Sequence, residues 1–519
     1  MTSANRYSSP LAERYASAAM LELWSPAVRH GLWRRLWLAL AEAERELGVP
    51  IPDEALAQMR SRLDDIDFDV VAAYERRFRH DVMAHVHAFG DVAPAARGFI
   101  HYGATSAYVT DNADLILMRR GLELLRGKIV RVLGALAAFA REWRAEPTLG
   151  STHLQAAQPT TVGKRATLWM QDLVLDLADI DHRIANVPLR GVKGTTGTQA
   201  SFLEIFGGDH AKVRDLEARV SAKMGFASAI PVSGQTYTRK IDAQVLGVVA
   251  GVASSAMKFS GDVRMLQSVG EIEEPFEKEQ IGSSAMAYKR NPMRSERIAS
   301  LARFVITIEP NANLTHGVQF FERTLDDSAN RRLVIPESFL ATDAILVLMA
   351  NVAGGLEVHP ARIRRRLADE LPFMATEELI VRAVRAGVDR QIAHERIRVH
   401  SIDAARALKD GADRNDMLDR LSRDAEFGVR TDDLADVLER RKQKMRGRRR
   451  VHAYEPTSHD VGRRLFTGLL QHASRSARGP KGGTFDGPLY ELCVKCRLGR
   501  SLGQVAGPMD LTHRKPEGL

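Results

Sequence analysis

Four stretches limit what this chain can fold into more than anything else in it. Residues from about 112 to 145, 160 to 187, 240 to 269 and 329 to 355 are rich in Leu, Ala, Val and Arg, and only Pro336 interrupts the last of them. Each predicts a helix of roughly 25 to 30 residues or more, over twice the globular mean of about 11 to 12. Helices of that length carry apolar surface on more than one face, which points to an extended bundle shared between subunits. Period-two alternation bounded by turns is nearly lacking, so a sheet-based fold is not expected. The predicted class is all-α.

Shorter signals organise the rest. Ser25 and Pro26 read as N-cap and first helical residue, Val28, Leu32, Leu36, Leu40, Ala43 and Leu47 recur at helical spacing, and Gly48 with Pro50 ends the run. Trp33 and Trp37 sit one turn apart within it as core or interface filler. Gly and Pro clusters at 90 to 104, 146 to 159, 188 to 201 and 225 to 238 read as connectors, the usual place for sites assembled from several segments. From about residue 441 the texture changes to RRKQKMRGRRR and then to Gly, Ser, His and Pro without period, which reads as a weakly ordered tail.

That tail resolves an apparent contradiction in charge. A formal net charge of +9 suggests nucleic acid or membrane as a partner. Residues 441 to 519 hold 17 Lys and Arg against 6 Asp and Glu, which leaves 57 against 59 in the rest. The body is nearly neutral. At 519 residues it exceeds one compact core, so two or three domains are expected. No stretch reads as a membrane span of about 20 apolar residues, and MTSANRYSSPLAERYA has no secretory core, so the expectation is a cytosolic protein. The two cysteines, Cys493 and Cys496, form a single CxxC in the tail. They cannot staple the body, a zinc site there needs two further ligands such as His472 and His513, and no surrounding βαβ pattern supports redox work.

The chemistry concentrates in residues 282 to 297, GSSAMAYKRNPMRSER. Ser283 and Ser284 on a glycine-started loop, then Lys289 and Asn291, then a helix opened by Pro292, make a trap for an anionic substrate; an ordinary polar loop is the plainer reading. His153, in GSTHLQAAQPTTVGKR, is suited to proton transfer near neutral pH, though single histidines often serve structure. His80, His85 and His87 crowd RHDVMAHVH, but HExxH spacing is missing, and Arg79, His80 and Asp81 read better as an anion-binding, proton-positioning cluster than as metal ligands. Thr105 and Ser106 of HYGATS offer hydroxyls to a carboxylate, or cap a helix, or both. RGVKGTTGTQAS at 190 to 201 is neither a Walker loop nor a dinucleotide fingerprint and is weak evidence for phosphate binding. FERTLDDSANRR at 321 to 332 sets Arg323, Ser328, Arg331 and Arg332 around two aspartates, as anion forks or as a salt-bridge network. With no nucleotide-hydrolysis motif and no cofactor fingerprint, the inventory fits acid–base chemistry on a polyanion. Removing a proton beside a carboxylate builds negative charge that Lys289 and Asn291 can stabilise, and a leaving amine needs a proton from a histidine.

The loop GSSAMAYKRNPMRSER resembles the GSSxMPxKxNP signature of the fumarase/aspartase superfamily. RYAS, RHDVMAHVH, HYGATS, GSTHLQAAQPTTVGKR, RGVKGTTGTQASF, SGQTYTRK, FERTLDDSANRR and LPFMATEE, in that order over roughly residues 6 to 440, resemble the adenylosuccinate lyase family of animal type. The resemblance implies an all-α, three-domain fold whose central helices form a tetramer's bundle, with each active site drawn from three chains. Domains are then expected at 1–110, 111–358 and 359–440, with 441–519 as the divergent tail. The implied reaction is β-elimination of fumarate from adenylosuccinate to give AMP, and from succinylated carboxamide ribotide (SAICAR) to give AICAR. Ser283 matches the base, His153 the acid, Glu296 the carboxylate that orients it, and Lys289 and Asn291 the anion stabilisers. Arg14, Tyr15, Arg79, His80, Asp81, Thr105, Ser106, Gln235, Arg297, Arg323, Ser328 and Arg332 match substrate-binding positions. No cofactor, metal, membrane or nucleic-acid partner is implied, and purine nucleotides are the expected ligands.

Two departures stand out. Ala287 occupies the signature proline's place, which removes a backbone restraint of about 0.4–1 kcal/mol. Beyond about residue 440 the match fades, with Phe466, Thr467 and Gly468 as a possible remnant after a basic insertion. Three other readings stay open at this level: a different fumarate-releasing lyase such as argininosuccinate lyase or class II fumarase, a nucleic-acid binder using the tail, and a catalytically silent relative. SGQTYTRK and FERTLDDSANRR favour the purine enzyme over the first, and retained Ser283, His153 and Lys289 count against the last.

Overall fold

The structure, a computed structural model, describes residues 7–429; the basic tail, its two cysteines and the end of the expected third domain lie outside the described residues. The principal helices are α1 (Pro26–Glu46), α2 (Asp81–Val92), α3 (Ser106–Glu142), α4 (Val162–Asn186), α5 (Lys240–Ser268), α6 (Met293–Ile308) and α7 (Asp327–Gly355). They are followed by α8 (Pro360–Met374), α9 (Thr376–Arg385), α10 (Arg390–Lys409) and α11 (Met417–Ser422). The described strands form two small antiparallel pairs, β1 (Pro147–Thr152) with β2 (Gln155–Thr161) and β3 (Ile272–Glu273) with β4 (Glu357–Val358). The all-α expectation holds, and α3, α4, α5 and α7 fall where the apolar stretches place them. Within the described residues the long helices divide between two compact units, the first formed by residues 7–132, 175–262 and 281–352 and the second by 133–174, 263–280 and 353–429.

In the first unit, α1 begins as its sequence says: Ser25 accepts from the backbone N–H of Val28, Pro26 follows, and the chain leaves through Gly48 at φ +104°. On α3, Leu115, Met118, Leu122, Leu125 and Ile129 recur every three or four residues and are all fully buried. Each such side chain contributes roughly 1.5–3 kcal/mol through burial. Gly121 lies so close to α7 that an added Cβ would sit 2.7 Å from the Phe339 ring, so only glycine lets the two helices approach there. Helix α7 runs through Pro336.

Counter to the sequence reading, α5 and α7 do reach the length and mean hydropathy of a membrane span, with values of 1.2 and 1.8. Their apolar windows are 50% and 61% buried in the fold, and α7 also buries Asp343. That carboxylate accepts from Ser17 and pairs with Lys128 at 2.6 Å.

The second unit corrects another expectation. The connector at 146 to 159 is a β-hairpin, with a register shift between Leu149 and Ser151. Its base is fixed by Leu149 packed on Leu367 and Met374 of α8, and by the buried Glu271 carboxylate, which accepts from Thr148 and pairs with Arg366. Helices α9, α10 and α11 close around Leu379, Ala383, Ile397, Met417 and Phe427.

Candidate active site

The signature loop builds a distinctive environment around Ser283. Its Oγ accepts from the backbone N–H of Met286 at 3.1 Å and of Ala285 at 3.4 Å. Asn291 closes the loop by donating from its side-chain amide to the Gly282 carbonyl at 2.7 Å, and Lys289 N–H donates to the Met286 carbonyl. Two backbone donors aimed at one hydroxyl oxygen favour its anionic form, which is what a serine acting as a base requires. Lys289 and Ala287 are exposed, Asn291 is half-buried, and α6 starts immediately afterwards with Glu296 exposed in its first turn.

The substrate-binding candidates of the first unit come together in four groups. Tyr15 lies under two guanidinium groups, with Arg297 at 5.5 Å and Arg14 at 5.9 Å from the ring centroid. His80 caps α2 by accepting the Met83 N–H at Nδ1. That leaves its Nε2, 3.4 Å from Ser106 Oγ, to carry the proton in the neutral ring. Beside it, Asp81 accepts from Arg332 at 2.9 Å. Finally Gln235 donates to Thr105 Oγ1 at 3.1 Å and accepts from Arg323 at 3.3 Å. Arg79 is exposed at the end of the preceding helix, Phe68–Phe78, in the left-handed region at φ +54°. Ser328 is half-buried in the first turn of α7.

His153 belongs to the second unit. It and Leu154 form the two-residue turn between β1 and β2, with φ of +53° and +59°. Such a turn normally takes Asn-Gly, because in the left-handed region Cβ crowds the backbone carbonyl, a cost that glycine avoids and asparagine offsets by local hydrogen bonding. A histidine and a leucine held there are strained, and both are exposed at the hairpin tip. Strain of this sort concentrates at functional positions.

Other motifs resolve differently. Arg190 and Lys193 of the glycine-rich stretch are buried scaffold: Arg190 donates to the carbonyls of Gln235, Lys193 and Gly194, and Lys193 pairs with Glu217 at 2.5 Å. They support Gln235 rather than presenting cations to a phosphate. The three histidines of RHDVMAHVH diverge. His85 stacks on His30 at 4.0 Å, and His87 packs on Phe78 at 4.6 Å. Among the described residues, the groups that could converge on a metal are Glu273 on β3, Glu357 on β4 and His359 just after β4, with a ring nitrogen of His359 3.6 Å from a Glu273 carboxylate oxygen. FERTLDDSANRR divides too: Arg332 is exposed, whereas Arg331 is buried on Asp242 and Asp114.

One residue beside the candidate site went unread in the sequence. His101 has φ +68° and accepts the Trp37 indole N–H at Nδ1 over 2.9 Å. Burial, with the nearby His80 adding to it, lowers its pKa to about 4, so it is a neutral ring carrying its proton on Nε2. Its place in HYGATS, next to Thr105 and Ser106, was the available signal.

With this geometry in hand, comparison with known proteins is informative. Residues 34–307 match the family described as Lyase, and residues 372–444 match the one described as Adenylosuccinate lyase C-terminus. The adenylosuccinate lyase of Saccharomyces cerevisiae is 50% identical over 438 residues, 84% of this chain and 91% of the yeast protein. That of Schizosaccharomyces pombe is 50% identical over 83% of this chain and 90% of its own length, and that of Schistosoma mansoni 46% over 81% and 88%. Among solved structures, a fumarate lyase from Mesorhizobium sp. BNC1 superposes with a TM-score of 0.73 at 23% identity, covering 89% of this chain and all of that one. A 3-carboxy-cis,cis-muconate lactonizing enzyme from Pseudomonas putida gives 0.73 at 20% identity, over 88% of this chain and 98% of that one. The two structures share the fold; the sequence relatives are close enough to fix more than that, and the chain belongs to the adenylosuccinate lyase family.

Proposed function

We propose that the protein eliminates fumarate from adenylosuccinate, giving AMP, and from SAICAR, giving AICAR, within purine nucleotide biosynthesis. The observation that carries this reading is the 50% identity to a yeast adenylosuccinate lyase across 91% of that protein. The donors on Ser283 support its role as base: the alkoxide takes the proton from Cβ, the carbon adjacent to the one that bears the leaving nitrogen. Lys289 and Asn291 stabilise the charge that develops on the neighbouring carboxylate. The C–N bond then breaks, and His153, oriented by Glu296, gives its proton to the departing nitrogen. Arg14, Tyr15, Arg297, His80, Asp81, Arg332, Thr105, Ser106, Gln235, Arg323, Ser328 and Arg79 hold the nucleotide and its carboxylates.

On the same reading the chain has three domains, divided near residues 110 and 358, works as a cytoplasmic homotetramer and shares each site between subunits. The exposed hairpin tip that carries His153 supports that last point, since a general acid must leave solvent to work. The deciding assay gives purified protein adenylosuccinate and follows AMP and fumarate, which should appear in equal amounts. Turnover of argininosuccinate without turnover of adenylosuccinate would overturn the assignment.

A further inference from the structure

Behind the substrate-binding groups of the first unit lies a buried polar cluster that the reaction does not use. The connector 233–239 and the start of α7 are stitched to each other there twice. Arg239, 2% exposed, donates to Asp327 at 2.8 Å. Two residues earlier, the Tyr237 hydroxyl joins a closed ring of three hydrogen bonds. It donates to Asp242 Oδ1, Arg331 donates to Asp242 Oδ2 at 2.7 Å, and a second Arg331 nitrogen donates back to the phenolic oxygen. Helix α3 is tied in by Asp111, which accepts from the Tyr237 backbone N–H at 2.9 Å and from Arg239.

What makes the cluster more than core is what its members sit beside. On α7, Asp327 and Arg331 are one turn apart on the inner face, while their neighbours Ser328 and Arg332, also one turn apart, lie among the substrate-binding candidates. On the connector, Tyr237 and Arg239 point into the cluster, and Gln235, two residues before Tyr237, bridges Thr105 and Arg323. On α3, Asp111 faces the cluster from the helix that starts at Ser106. Each of the three segments presents one side to the cluster and another to the site. The backbone leaves little other freedom near Gln235: a Cβ on Gly234 would come within 2.4 Å of the Glu322 carbonyl.

We infer that Tyr237 is a positioning residue for nucleotide binding, whose hydroxyl sets the register between the segment carrying Gln235 and the helix start carrying Ser328 and Arg332. Replacing it by phenylalanine keeps the ring volume but leaves one Arg331 N–H and one Asp242 oxygen without their partner in a place closed to water. The pair then re-forms at a different spacing, and the binding groups move with it. Because Tyr237 touches no reacting atom, the loss falls on binding rather than on the chemical step.

The inference rests on the proposed binding role of Gln235, and the experiment separates the two. Tyr237→Phe, Gln235→Ala and the double variant are assayed with adenylosuccinate, and their melting temperatures are measured. Tyr237→Phe should raise KM by about three- to tenfold with kcat within about twofold, and added to Gln235→Ala it should raise KM no further. A KM unchanged by Tyr237→Phe, or a rise that multiplies fully with that of Gln235→Ala, would overturn the positioning role. A KM unchanged by Gln235→Ala would instead overturn the binding role of that glutamine. If Tyr237→Phe does not fold, Arg331→Lys, which keeps the charge but loses the second donor, takes its place under the same outcomes.

Discussion

A serine hydroxyl is a weak base, and what this loop adds at Ser283 is a pair of backbone N–H groups that hold any charge on its oxygen. Ser283→Ala should therefore lower kcat by about 10²–10⁴ while KM stays within about threefold. Steady-state kinetics decide it, since equal losses in both would make Ser283 a binding group. Glu44 makes a different case. It is fully buried on α1, no hydrogen bond reaches its carboxyl among the described residues, and burial pushes its pKa up to about 9. The folded state thus holds this proton more tightly than the unfolded chain, and stability falls as pH rises from about 4.5 towards 9. Glu44→Gln should raise the melting temperature at pH 8 by roughly 2–4 °C, with the gap closing towards pH 5; a gap independent of pH would refute it. Neither fact is legible in sequence, where Glu44 looks like any helical glutamate. Arg331 and Arg332 make the same point, as adjacent residues of one type with opposite fates: one is locked on buried aspartates, the other is exposed on Asp81.

Among elements, the long helices were readable because each advertises its own apolar faces over many turns. The hairpin was not, because its strands alternate no apolar residues and its turn lacks the Asn-Gly that would announce it. Strain in that turn yields a separation of roles. Asparagine tolerates the left-handed region better than histidine, so His153→Asn should leave the melting temperature unchanged or slightly higher while kcat drops by about 10²–10⁴. Activity retained in His153→Asn would remove the histidine from the reaction. The contact between α1 and α2 supplies a prediction in pH. His30 and His85 are stacked rings whose pKa values burial lowers to about 4 and about 3, each further lowered by a neighbouring positive group. Both are neutral in the fold and charge on unfolding below 6.5, so their contribution is complete above that value and is lost as pH falls towards 4 and 3. His85→Phe should flatten the fall in melting temperature between pH 6.5 and 4, and an unchanged slope would assign acid lability elsewhere.

At the scale of the whole molecule, residues matched to one reaction are divided between two units. Ser283, Lys289 and the candidate substrate-binding groups belong to the first, and His153 belongs to the second. Sequence could order these motifs along the chain but could not say which copies of the chain meet, because subunit exchange leaves no trace in a single sequence. The sharing proposed above has a consequence that no single-chain site would show. If Ser283 and His153 at one site come from different chains, a Ser283→Ala protein and a His153→Ala protein are each inactive, yet a mixed tetramer contains some sites with both native residues. Random mixing in equal amounts should restore about a quarter of wild-type activity, since each site then draws each residue from an intact chain half the time. The measurement needs the two proteins dissociated, mixed and reassembled, with each variant alone carried through the same steps as control. Recovery near that level would establish sites completed between subunits. A mixture no more active than its components would mean that each chain supplies its own serine and histidine, and the homotetramer would lose its role in the chemistry.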